Sequence, residues 1–73
     1  MKIHRNDKVL KVLASNVRKI RKLNGFSQEG LALMCEIDRT YISKVERGVA
    51  NPSLLILARI AKILNTNISE LVK

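Results

Sequence analysis

Ser27–Gly48 reads SQEGLALMCEIDRTYISKVERG, and this stretch decides the fold. Ser27 is a good N-cap: its hydroxyl accepts from backbone N–H groups that a helix start leaves unpaired. It predicts a helix from Gln28 to about Cys35. After Glu36 and Ile37, Asp38 repeats the signal and predicts a helix running to Arg47 and stopped at Gly48. Two short helices joined by a three-residue turn must cross steeply and pack closely if they share a core. Ala32 provides the small residue where the backbones approach, and Leu31, Cys35, Ile37, Ile42 and Val45 provide the inward apolar set. Those requirements define a helix-turn-helix.

The flanking sequence extends the pattern. From Asp7 to Asn24, apolar residues recur at Leu10, Leu13, Val17 and Ile20, the spacing of one buried helical stripe, and Gly25 ends it. Asn51-Pro52 breaks the chain after Gly48. Ser53 then caps a helix over Leu54–Leu64 that Asn65 can close, and Asn67 with Glu70 has the form of a capping box for a short final helix. The expectation is an all-α domain of five helices spanning residues 1–73, without linker, repeat or low-complexity segment. Its helix-turn-helix occupies about 27–48 and a dimerisation region about 54–73.

Composition narrows the function. The 73 residues carry 14 Lys+Arg against 6 Asp+Glu, a formal charge of +8, while 47% hydrophobic content is too high for a disordered basic tail. A folded module with that charge points to a polyanion. One cysteine (Cys35) and one histidine (His4) cannot build a zinc finger or a disulfide framework, so no metal and no cofactor are expected. The lone free thiol fits a reducing cytoplasm. Phe26 and Tyr41 are the only aromatics, too few for a base-stacking platform. Lys11 interrupts the apolar stretch near the start, which argues against a secretory signal, and no run is long enough to span a bilayer.

A helical wheel divides the helix after Asp38 into two faces. Arg39, Thr40, Ser43, Lys44 and Arg47 fall within one arc of roughly 140°, whereas Tyr41, Ile42 and Val45 lie opposite and Glu46 sits at the edge. Guanidinium, ammonium and hydroxyl groups on one face suit the edges that bases present in a DNA major groove. An isolated helix with this face is more often simply solvated. The packing signature ahead of it and the net charge shift the balance toward DNA.

The runs SQEGLA, DRTYISKVERG and NPSL followed by LARIAKIL resemble, in order and spacing, the lambda-repressor/Cro-like (XRE-type) helix-turn-helix family over about Val9–Val72. The DRTYIS string is most similar to the small controller proteins of restriction–modification systems. Phage Cro-like repressors and antitoxin-type regulators share most of the pattern. The resemblance implies a transcriptional regulator, not an enzyme, that binds a palindromic double-stranded DNA operator as a homodimer and needs no small-molecule ligand. It implies base reading by Arg39, Thr40, Ser43 and Lys44, and phosphate contacts by Gln28, Arg47 and Asn51. Tyr41 can donate to a phosphate or pack against the fourth helix. Arg21 and Glu46 match a family ion pair.

The chain also departs from the family pattern. Gly30 stands where the family usually has Glu, and Glu36 occupies a turn position normally held by Gly, which implies a left-handed non-glycine residue or a slightly different turn. Val49 and Ala50 replace residues that are often basic. Leu33 and Met34 are expected as loosely packed core in preference to a partner-binding patch. The nearly all-apolar helix from Leu54 needs a second covering surface, either the final helix (Ile68, Leu71, Val72) or another subunit; a homodimer is the economical answer, with Leu55, Ile56, Ile63, Ile68 and Leu71 expected at its interface. The rivals from other classes are a basic amphipathic binder of membranes or acidic proteins, and an adaptor using Leu33 and Met34.

Overall fold

Five helices follow one another: α1 Arg5–Leu23, α2 Gln28–Cys35, α3 Arg39–Glu46, α4 Leu54–Ile63 and α5 Ile68–Leu71. The computed structural model describes the backbone of residues 5–73 and side chains from Lys8 onward; His4 lies outside the described residues. No strand occurs among the described residues. The chain is all-α, as its periodicity indicated.

Local chemistry sets the boundaries. Ser27 Oγ accepts from the Gly30 amide at 2.9 Å, Asp38 Oδ1 from Thr40 at 3.0 Å, Ser53 Oγ from Ile56 at 3.2 Å and Asn67 Oδ1 from Glu70 at 2.9 Å. The helix ends are equally regular. After each of α1 to α4 one residue turns left-handed: Gly25 (φ 77°), Glu36 (φ 59°), Gly48 (φ 76°) and Asn65 (φ 58°). Around each, paired amide-to-carbonyl bonds close the end, as in Phe26 to Arg21 and Gly25 to Lys22. This is the Schellman arrangement, which satisfies carbonyls that a helix end leaves open. Of the two turns left open at Glu36, the αL one is present, where an L side chain is strained and glycine is not. The final capping box is only half formed, because the Glu70 carboxylate bonds Lys73 Nζ at 3.0 Å.

Asp38 caps α3 from an exposed position. Asp38→Ala should therefore lower stability by about 1 kcal/mol, a drop of roughly 4–8 °C in melting temperature followed by circular dichroism.

The core lies where α1 packs on α3 and α5, α2 on α3 and α4, and α4 on α5. Leu13 and Val17 of α1 meet Leu31, Ala32 and Cys35 of α2, Ile42 and Val45 of α3, and Ile60, Ala61 and Leu64 of the α4 region. Ala32 is buried, as close approach of the two short helices requires. Two asparagines on the α1 side fasten the C-terminal half: Asn16 Nδ2 donates to the Leu71 carbonyl at 3.0 Å and Asn24 Nδ2 to that of Leu64 at 3.4 Å.

Three expectations need correction. Leu33 and Met34 are not loose core; they are 71% and 56% exposed, because Leu31, Ala32 and Cys35 already fill the inner face of α2. Leu71 is not available to another subunit. It is fully buried within the chain's own core, drawn in as α5 folds back on α1. Finally, α3 ends at Glu46, with Arg47 as its capping residue.

Candidate nucleic-acid interface

The outward face of α3 follows from what the inner face must bury. Ile42, Val45 and Glu46 point into the protein. Arg39, Thr40, Lys44 and Arg47 are exposed and Ser43 is half-buried beside them. Tyr41 is half-buried and packed against the core, so its ring has a packing role whatever its hydroxyl touches. Asn51 is exposed in the connection between α3 and α4. Within that connection Val49 is exposed and Ala50 buried.

Beneath this face a buried charge pair joins α1 to α3. Arg21 is 7% and Glu46 4% exposed. The guanidinium grips the carboxylate with two bonds, Nε to Oε2 and Nη2 to Oε1, the latter at 3.0 Å. Its third nitrogen, Nη1, donates to the Phe26 carbonyl at 2.7 Å. Such a fork-to-fork pair fixes geometry as well as charge. A carboxylate at the edge of a DNA-facing surface would repel phosphate; here it is neutralised in place. Gln28 completes the unit, its Nε2 donating to Glu46 Oε1 at 3.1 Å. One carboxylate thus ties α1 and the start of α2 to the end of α3, while Arg21 holds the turn before α2. Among the described residues, no buried side-chain nitrogen or oxygen lacks a hydrogen-bond partner.

Arg18, Arg21, Lys22, Gln28, Glu46 and Arg47 line a cleft of about 190 Å³ where α1, α2 and α3 meet. Arg47 belongs both to this cleft and to the outward arc of α3. From sequence, the charge of the first helix is expected to steer and hold DNA, with no role particular to Arg18 or Lys22. Their four-residue spacing beside Arg21 was the available signal, since it puts both on one side of α1.

Along α4 and the start of α5, Ala58, Ala61, Lys62, Thr66, Asn67 and Ile68 line a more open groove of about 390 Å³. Leu55 is exposed, and Ile56, Ile63 and Ile68 are half-buried. Cys35 is buried in the core, and burial pushes its thiol pKa up, with the Arg59 guanidinium pulling the other way. That is the environment of a packing thiol, not an activated one. Among the described residues, no three His, Cys, Asp or Glu side chains cluster to hold a metal.

Comparison with known proteins follows the same lines. A helix-turn-helix family model matches residues 17–71. Control protein C.SmaI of Serratia marcescens is 44% identical over 63 residues, covering 86% of this chain and 75% of that protein. The crystal structure of NHTF, a hypothetical transcription factor from Neisseria, aligns with a TM-score of 0.86 at 39% identity. It covers 92% of this chain and 75% of its own. The restriction-modification controller protein C.AhdI from Aeromonas hydrophila gives a TM-score of 0.81 at 37% identity, over 85% of this chain and 94% of that one.

Proposed function

This chain belongs to the helix-turn-helix (HTH_3) family, and from that premise we propose that it is a cytoplasmic regulator that binds a palindromic operator as a homodimer, a controller protein of a restriction–modification system. One observation carries the reading. The exposed arc of α3 is held rigidly from behind by the buried Arg21–Glu46 pair, with every buried polar group on the described side chains satisfied. A merely solvated helix needs no such support.

In this reading α3 enters the major groove. Arg39 and Lys44 donate to guanine O6 and N7, and Thr40 and Ser43 offer hydroxyls to either base edge. Gln28, Arg47, Asn51 and Tyr41 bond phosphates and set the docking angle. Leu55, Ile56, Ile63 and Ile68, around the groove on α4 and α5, supply the subunit interface, with Leu71 excluded by its burial. Two copies related by a twofold axis place their α3 helices about one DNA turn apart, which matches a palindrome. Occupancy is then governed by concentration through dimerisation, a regulator's role and not a catalyst's.

The membrane alternative loses its footing on α1. Its apolar stripe would have to face lipid, yet Leu13, Ala14 and Val17 are buried. No described helix is long and apolar enough to cross a membrane.

Arg47→Ala should weaken all DNA sequences alike and lower the slope of log K against log salt by about one per subunit, about two for the dimer, read from anisotropy titrations at several salt concentrations. The reading as a whole is tested by selecting bound duplexes from random DNA and footprinting them. Two inverted half-sites with centres about 34–36 Å apart are expected. A pool with no enriched sequence would overturn it.

A further inference from the structure

α5 spans 4 residues, about one helical turn, which is too short to hold its own shape in water. Asn67 caps its start, and Leu71 anchors it in the core. Its end is closed from outside. The Glu70 and Leu71 carbonyls lie beyond the last helical bond of α5, so no further turn satisfies them. The half-buried Asn16 of α1 donates its amide nitrogen to both, at 3.3 and 3.0 Å. Leu71 fixes where α5 sits, but one buried side chain leaves a single turn free to pivot about it. Asn16, by bonding two successive carbonyls, fixes the tilt.

That tilt bears on the groove assigned to the subunit interface. Thr66, Asn67 and Ile68 line one part of it, and Ala58, Ala61 and Lys62 of α4 the other. α1 packs on α3 as well as on α5, and Arg21 fastens it to α3 through Glu46. The attachments at Asn16 and Arg21 lie about 7.5 Å apart along α1 and about 140° apart around it. α1 is thus a cross-piece, with the reading helix fastened on one side and an interface helix on another. A change in the tilt of α5 against α1 changes the angle between interface and α3. In a twofold dimer that change is applied twice.

We propose that Asn16 is a positioning residue for the operator: by fixing α5 against α1, it sets the separation of half-sites that the dimer accepts. The proposal rests on the reading of a homodimer on a palindrome. It gives this role to a residue outside both the α3 face and the groove lining.

The test measures affinity for duplexes that carry the selected half-sites at their selected separation, and with one base pair added or removed between them. One base pair shifts a half-site by about 3.4 Å and turns it by about 35°. The ratio of selected to altered affinity is the spacing discrimination. Asn16→Ala removes the donors. Asn16→Leu removes them at similar size and with a better helix former, which keeps α1 intact. In both variants the discrimination should fall by about two- to tenfold, the worth of a net hydrogen bond, while affinity for an isolated half-site is unchanged. Asp38→Ala, which uncaps α3, is the control for stability alone: its melting temperature should fall and its discrimination persist. Full discrimination in both Asn16 variants, or an equal loss in Asp38→Ala, would overturn the role of Asn16 and leave the dimer standing. An unaltered chain indifferent to the spacing would overturn the dimer reading, and the role of Asn16 with it.

Discussion

Glu46→Ala should cost about 3–5 kcal/mol of stability, because it leaves the Arg21 guanidinium buried without its carboxylate. For a chain of 73 residues the total is only about 4–11 kcal/mol. At roughly 4–8 °C per kcal/mol, the melting temperature should fall by at least about 12 °C. The Phe26 carbonyl holds one guanidinium nitrogen but cannot cancel its charge. Gln28 loses its partner as well, so DNA affinity should fall even at temperatures where the variant is folded. The double substitution R21M/E46M separates the two effects. Replacing a buried ion pair by apolar groups of similar size is often close to neutral, so stability should largely return. Affinity should not, since nothing then orients Gln28. An unchanged melting temperature in Glu46→Ala would show that the pair does not hold α3.

Arg39→Ala should leave stability unchanged and reduce operator affinity steeply. Arg39 is exposed on the first turn of α3 and supports no core residue. Each bidentate contact to a base is worth about 1–3 kcal/mol of discrimination. A twofold operator uses the residue twice, so the combined loss is about 2–6 kcal/mol. At 1.4 kcal/mol per tenfold, affinity falls by roughly thirtyfold or more. Arg39→Lys sharpens the point. Lysine keeps the charge but not the planar fork, so the salt slope should persist while discrimination drops.

The helix ends were legible because their signals are local. Ser27, Asp38, Ser53 and Asn67 each cap the helix that follows, through contacts two or three residues long. The left-handed residue at Glu36 was suggested by the family resemblance, which has glycine at that position, and not by any local signal in this sequence. Leu33 and Met34 misled because apolar identity says nothing about facing. Leu31, Ala32 and Cys35 fall within an arc of roughly 100° on the wheel, which leaves the two at roughly 200° and 300°, outside it. Leu71 misled differently. A helix of 4 residues is too short to show a periodic face, and its burial depends on α5 turning back onto α1.

The interface was legible in its outline and not in its connections. A wheel separates Arg39, Thr40 and Lys44 from Ile42 and Val45. No spacing rule reveals that Gln28 bonds a carboxylate 18 residues away, or that Arg18 and Lys22 open onto the same cleft as Arg47. Those relations arise only from how α1 crosses α2 and α3. The same crossing places charge where the segments alone would not suggest it. Residues 1–26 hold 8 Lys/Arg and 1 Asp, whereas 27–52 hold 3 Lys/Arg and 4 Asp/Glu. The reading segment is slightly acidic, and α1 brings cations to its side.

The central claim is that the outward face of α3 chooses the bases. The most direct test is a binding matrix in which each base pair of the selected operator is changed singly. The unaltered chain and Arg39→Ala are titrated against every member at one fixed salt concentration. The claim requires Arg39→Ala to lose discrimination at one base-pair position in each half-site and to keep it at the others. If Arg39→Ala kept the full discrimination profile of the unaltered chain, α3 would not be docked as described.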